Sequence, residues 1–250
     1  MAPLLSLTGI SKSYSRGRQY VRVLEDVSLE VDPGEFVAIW GGRGQGKTTL
    51  LKIAARLETP DSGAVRFDGI DMMGLSEARH ARLMLERIGW VRRTGPRSEL
   101  EMIDYVALPL LARHRRRRAY ALAAQALERV GMEECADQRW ESLSGGERVL
   151  LGIAHGIVRS PQLLLVDDPT ANLDVVEREH VTGLLRSLAD DEGISVLMAV
   201  PDAPASIKAH NIGSLGAGRL SFASKSPVPP RRPDTPGEDG DNVIRLRGRG

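Results

Sequence analysis

Three short apolar runs punctuate the chain: Glu35-Phe-Val-Ala-Ile-Trp40, Leu163-Leu-Leu-Val-Asp167 and Ile194-Ser-Val-Leu-Met-Ala199. Runs of this length without alternation predict buried strands of a mostly parallel sheet flanked by helices. Between Leu4 and Val31 apolar and polar residues alternate in places (Val21-Arg-Val-Leu24, Val27-Ser-Leu-Glu-Val31). That pattern predicts antiparallel strands around a basic turn near Arg16–Arg18, a small β-lobe. Asp61-Ser-Gly63 reads as a turn, and Ala64-Val-Arg-Phe67 and Ile88-Gly-Trp-Val91 as short strands. Helical spacing marks Thr49–Arg56, Ser76–Glu86 with Ser76 as N-cap, most of Leu100–Val158, and Val175–Leu188. From Ser224 the chain turns Pro-, Gly- and charge-rich (Ser226-Pro-Val-Pro-Pro-Arg-Arg-Pro233), a composition that cannot bury a core. The expectation is an α/β chain. Residues 1–223 form the domain, with a helical subdomain over about 95–160, and 224–250 form a disordered tail.

Composition narrows the function classes. The chain has 250 residues, 42% of them hydrophobic, enough for one large core or two lobes. A net charge of +1 gives no global field for nucleic acid, which is not expected as a partner. The single cysteine, Cys135, excludes a disulfide framework and suits a reducing compartment. The N-terminal residues lack a charged-then-apolar leader pattern, and no apolar run is long enough to span a bilayer. A soluble chain is expected, one that needs a separate partner for any membrane task. The basic run Arg113-His-Arg-Arg-Arg-Arg118 reads as a solvated helix end; contact with phospholipid head groups or an acidic partner has no support in the sequence.

The chemistry begins at Gly41-Gly-Arg-Gly-Gln-Gly-Lys-Thr48, between an apolar strand and a helix. Strand, Gly-rich turn and helix make a phosphate-binding loop and imply a P-loop NTPase core. Glycines let backbone N–H groups curl around phosphates, and the helix N-terminus adds partial positive charge. The candidate ATP-binding residues are Gly41, Gly42, Arg43, Gly44, Gln45, Gly46, Lys47, Thr48 and Thr49. Lys47 would contact the β/γ oxygens and the Thr48 hydroxyl would hold Mg²⁺.

Two further motifs follow. Leu143-Ser-Gly-Gly-Glu147 enters a helix over Arg148–Val158, where two glycines at a helix start offer donors to an anion. By itself it is also a plain helix entry. Leu163-Leu-Leu-Val-Asp-Asp-Pro-Thr170 delivers two acids to the C-terminal end of a buried strand, where α/β sheets bind ligands. Asp167 is the second candidate metal residue beside Thr48.

The P-loop, Leu143-Ser-Gly-Gly-Glu147 and Leu163–Asp174, in this order, resemble the nucleotide-binding subunits of ATP-binding cassette (ABC) transporters, over about residues 4–222. Within that family, Lys12-Ser-Tyr14, Gly34-Glu-Phe-Val37, Thr59-Pro-Asp-Ser-Gly63 and Val106-Ala-Leu-Pro-Leu-Leu111 are similar to the stand-alone ATPases of the lipoprotein-release and macrolide-export type. The resemblance implies an ATP-binding subunit, with ATP and Mg²⁺, peripheral on the inner face of the cell membrane and coupled to a separate permease. It implies head-to-tail pairing with a second ABC ATPase. Ser144, Gly145, Gly146 and Glu147 would then face the ATP held by the partner's P-loop, with Asp174 at the seam. Tyr14 matches the aromatic that stacks on adenine. A plain lobe aromatic, or Tyr20 in its place, stays open. The alternative function is an ATP-binding regulatory or interaction module that does not power transport.

Three positions depart from the family pattern. Asp168 stands where a Glu polarises the attacking water, and is one methylene shorter. Pro201 stands where a His contacts the γ-phosphate, with neither a side-chain donor nor an N–H. Arg93 stands where a Gln contacts Mg²⁺ and water, and a guanidinium cannot ligate a cation. General-base catalysis contributes roughly 10²–10⁴-fold. The expectation is ATP binding with weak hydrolysis at this chain's own site, and a heterodimer with an intact partner; a homodimer, and an active enzyme in which Asp168 suffices, stay open.

Overall fold

The computed structural model describes residues 2–17, 19–92 and 100–222. The expectations for Arg93 and for the 224–250 tail lie outside the described residues.

A six-stranded sheet runs in the order β10-β9-β3-β8-β7-β6. Its strands are β3 (Phe36–Trp40), β6 (Ile88–Val91), β7 (Leu163–Asp167), β8 (Ser195–Val200), β9 (Asn211–Gly216) and β10 (Arg219–Phe222). All neighbours pair parallel except β10, antiparallel at one edge. The apolar runs are continuous because both sheet faces are covered. Phe36, Ala38, Leu164, Val166, Val196 and Met198 point into one core, and their neighbours Val37, Ile39, Leu163, Leu165, Leu197 and Ala199 point into the other.

The second core closes under the β-lobe, a four-stranded antiparallel sheet in the order β2-β1-β4-β5: β1 (Leu5–Arg16), β2 (Gln19–Val31), β4 (Ser62–Phe67) and β5 (Ile70–Asp71). The turn expected over Asp61–Gly63 gives way to strand from Ser62 onward. Gly63 explains it: at φ +100° it lets β4 lie against β1, where a Cβ would come within 2.6 Å of the Thr8 and Gly9 carbonyl oxygens. The first core is filled by α3 (Met102–Leu111), α4 (Arg116–Arg129) and α5 (Gly145–Ile157), packed on one another, and by α6 (Val175–Asp190). Helices α1 (Lys47–Ala54) and α2 (Glu77–Arg87) complete the chain, and the Ser76 hydroxyl caps α2 by accepting from the Arg79 N–H. Among the described residues no helix is long and apolar enough to cross a membrane.

Candidate functional site

Register brings the motifs level. Central β8 pairs Ala199 with Ile39 on one side and with Asp167 on the other. Three loops therefore leave the C-terminal sheet edge in one layer: the P-loop after β3, Asp168 after β7 and Pro201 after β8. Backbone hydrogen bonds hold the layer, from the Gly41 N–H to the Val200 carbonyl (3.3 Å) and from the Asp168 N–H to the Ala199 carbonyl (2.8 Å). Asp168 takes a left-handed conformation, φ 50°, as the chain turns off the strand.

Space requires the glycine at Gly41, and space and dihedral together require it at Gly46. A Cβ on Gly41 would stand 2.2 Å from the Leu215 carbonyl oxygen. Gly46 caps α1 in the left-handed region at φ 97°, and a Cβ there would meet the Val23 carbonyl oxygen at 2.7 Å. Gln45 turns away and accepts from the Ala217 N–H (2.9 Å), tying the loop to the β9–β10 turn. Arg43 is exposed at the loop's tip.

Lys47 folds back over the loop, its ammonium donating to the Gly41 (2.5 Å) and Gly42 (2.9 Å) carbonyls. Burial pushes Lys47 below its ordinary value, opposed by the charges of Asp168 and Asp167. The Thr48 hydroxyl donates to both Asp167 carboxylate oxygens, at 2.9 and 3.1 Å. A hydroxyl and a carboxylate in contact beside a phosphate cradle are hard oxygen donors, and they fit Mg²⁺, which takes few protein ligands. A cavity of about 250 Å³ opens here, lined by Tyr14, Val23, Gly44, Gly46, Lys47, Thr48 and Thr49.

Tyr14 reaches this cavity and Tyr20, 83% exposed, is not in its lining. Two of the motif stretches meet behind Tyr14. Lys12 donates to the Thr59 carbonyl (2.6 Å), pairs with Glu58 (3.3 Å) and Asp61 (3.5 Å), and lies 5.5 Å from the Tyr14 ring centre. The Ser13 N–H donates to the Asp61 carboxylate (2.7 Å). Sequence reading missed Val23 as a cavity wall, since nothing in an alternating strand marks which residue faces a loop folded later.

The residues Ser144–Glu147 are not in that lining. They open α5, with Ser144 as N-cap in a capping box: its hydroxyl accepts from the Glu147 N–H (3.2 Å) and Glu147 accepts from the Ser144 N–H (2.7 Å). Ser144 and Gly145 are exposed and Gly146 is buried. Asp174 caps α6 with a second box through Glu177. Glu177 also reaches across to α5, accepting from the Gly146 N–H. This contact was missed, although Asp174-Val-Val-Glu177 carries the capping-box spacing. Past Pro201, Asp202 accepts from the Ala205 N–H (3.1 Å) and faces Arg178 of α6 (3.6 Å).

Residues 24–171 match the family model described as ABC transporter. The chain is 35% identical over 222 residues to the lipoprotein-releasing system ATP-binding protein LolD of Hyphomonas neptunium, covering 88% of this chain and 97% of that one. It is 34% identical over 238 residues to the macrolide export ATP-binding/permease protein MacB 1/2 of Paracoccus denitrificans, covering 93% of this chain but 35% of that longer protein. Among solved structures it resembles a dimeric, post-hydrolysis ATP-binding cassette bound to ADP and Pi, at 28% identity and a TM-score of 0.79, over 86% of this chain and 96% of that one. The alternative of a regulatory module gains nothing from these matches.

Proposed function

This chain belongs to the ATP-binding cassette (ABC) transporter family, and from that membership we propose that it is the ATP-binding subunit that drives a separate membrane permease from the inner face of the cell membrane. The observation that carries the reading is the Thr48–Asp167 contact beside the P-loop cavity, which Thr48 and Lys47 both line. The β- and γ-phosphates would replace the Gly41 and Gly42 carbonyls as partners of the Lys47 ammonium, a charge-assisted contact. Tyr14 would offer its ring to the base. Thr48 and Asp167 would hold Mg²⁺, which supplies positive charge against the phosphate oxygens when bound.

Hydrolysis at this site would rest on Asp168. Its shorter side chain and the donor-free Pro201 weaken the handling of water, since about 1 Å of misplacement costs on the order of a hundredfold. Ser144, Gly145, Gly146 and Glu147 serve a different ATP, the one held by a partner cassette. An asymmetric pair, in which the partner brings an intact base, uses both features of this chain.

ATP titration tests the nucleotide site. Lys47→Ala should weaken ATP·Mg²⁺ binding tenfold or more, about 1.4 kcal/mol. Equal affinity in the two proteins would overturn the P-loop assignment. Co-purification of the chain with a membrane permease tests the coupling.

A further inference from the structure

The basic run at residues 113–118 lies exposed at a helix end, and that end is the start of α4. It forms the turn from α3 into α4 and the first turn of α4. Arg115 is the N-cap without a side-chain cap bond, and the first turn of α4 holds no acid. Arginines at this end oppose the positive pole of the helix, the reverse of the usual arrangement.

Beside that turn lies a hollow of about 240 Å³ between α2, α3, α4 and the end of α5. Its polar lining is Glu86, Arg113, His114, Arg118, Arg159 and Ser160, over an apolar floor. Three arginines and one carboxylate thus line the same hollow. That carboxylate is already engaged, by Arg113 at 2.6 Å and by Arg82 at 3.0 Å. Arg159 carries a buried Nη1 with no hydrogen-bond partner among the described residues. Burial first, and then the charge of Arg113, push Arg159 below its ordinary value. A buried guanidinium nitrogen left unpaired beside a like charge is costly, and an anion would supply both the missing partner and the opposite charge. A carboxylate is satisfied by a single bidentate arginine. Several arginines lining one hollow match a phosphate, which offers more acceptor oxygens.

We propose that this hollow binds a phosphate group, held by Arg113, Arg118 and Arg159. The exposed Arg115, Arg116 and Arg117 form a cationic rim beside it. The phosphate is either free or the headgroup of an anionic lipid, and the two sources separate by experiment.

The test uses the full chain, the pair Arg118→Gln/Arg159→Gln, and the pair Arg115→Gln/Arg117→Gln, which removes equal charge outside the hollow. Each is titrated with inorganic phosphate at constant ionic strength and sedimented with phosphatidylglycerol or phosphatidylcholine vesicles. The P-loop is common to all three proteins, so differences between them report the hollow. A phosphate-binding event lost only in Arg118→Gln/Arg159→Gln establishes the site for free phosphate. Phosphatidylglycerol binding weakened tenfold or more in that pair and retained in the other, with no difference in phosphate titration, establishes it for a lipid headgroup. Equal losses in both pairs, or no loss in either, overturn the proposal. Glu86→Gln guards against misfolding of the double variants: removing the carboxylate should tighten binding about threefold or more, and weaker or unchanged binding counts against the site.

Discussion

The Glu177 carboxylate of α6 accepts a hydrogen bond from the Gly146 N–H of α5 at 3.2 Å, while its other oxygen accepts from the Asp174 N–H, also at 3.2 Å. The contact is tight enough that a Cβ on Gly146 would stand 2.8 Å from the same oxygen. One negative group therefore occupies a free donor at the helix start that, on the proposed reading, receives a partner's γ-phosphate. Glu177→Gln keeps an acceptor and removes the charge, so ATP-dependent pairing should strengthen about threefold or more, measured by analytical ultracentrifugation. Glu177→Ala should also lower thermal stability, by about 0.5–2 kcal/mol, through loss of the capping box.

Asp168 and Ser144 serve different ATP molecules in the asymmetric pair. In a mixed pair with an intact partner cassette, Ser144→Arg should abolish ATP hydrolysis and Asp168→Asn should barely alter it. Asp168→Glu restores the missing methylene and should raise this chain's own hydrolysis about tenfold if reach is limiting. Brisk hydrolysis by this chain alone, lost in Asp168→Asn, would contradict the asymmetric assignment.

Tyr14 and Tyr20 lie on neighbouring strands and differ in what they face. Tyr14→Ala should weaken ATP binding by about 0.5–1.5 kcal/mol, the usual worth of an aromatic stack, and Tyr20→Ala should leave it unchanged. Equal effects in a fluorescent-nucleotide titration would remove Tyr14 from the site.

His155 of α5 stacks on Tyr105 of α3, ring centres 4.6 Å apart, and faces the charges of Arg159 and Arg92. Burial first, then those arginines, push it down from 6.5 to about 4. Between those values the unfolded chain binds the proton and the fold does not, so stability rises with pH across the window. The contribution is complete above about pH 6.5 and is lost as pH falls toward 4, up to about 3 kcal/mol. His155→Phe keeps a ring in the stack and should flatten that part of the stability profile in denaturant unfolding at pH 7 and pH 4.5; an unchanged slope would place the pH dependence elsewhere.

The sequence by itself determined the central strands β3, β6, β7 and β8, the helices α1, α2 and α6 and the P-loop, because each is coded locally, whereas β5, β9 and β10 carry no such local mark. Unbroken apolar runs such as Leu163–Val166 mark strands buried on both faces, and a Gly-rich turn between strand and helix leaves few other conformations. It also marked Asp167 as a strand-end acid. Tertiary structure alone decided which distant residues meet. The parallel register of β3, β8 and β7 puts Gly41, Asp168 and Pro201 in one layer. Sheet packing turns Tyr14, not Tyr20, to the loop. Gly63 read as a turn because isolated glycines usually mark one, yet here its missing Cβ serves a close strand approach. The arginines at 113–118 read as a solvated surface, since charge runs usually are. The hollow that Arg113 and Arg118 share with Arg159, more than forty positions along the chain, exists only where α3, α4 and α5 pack together. Local conformation follows from short-range sterics and periodicity, whereas a site is a set of contacts between segments far apart in the chain, and only packing fixes those.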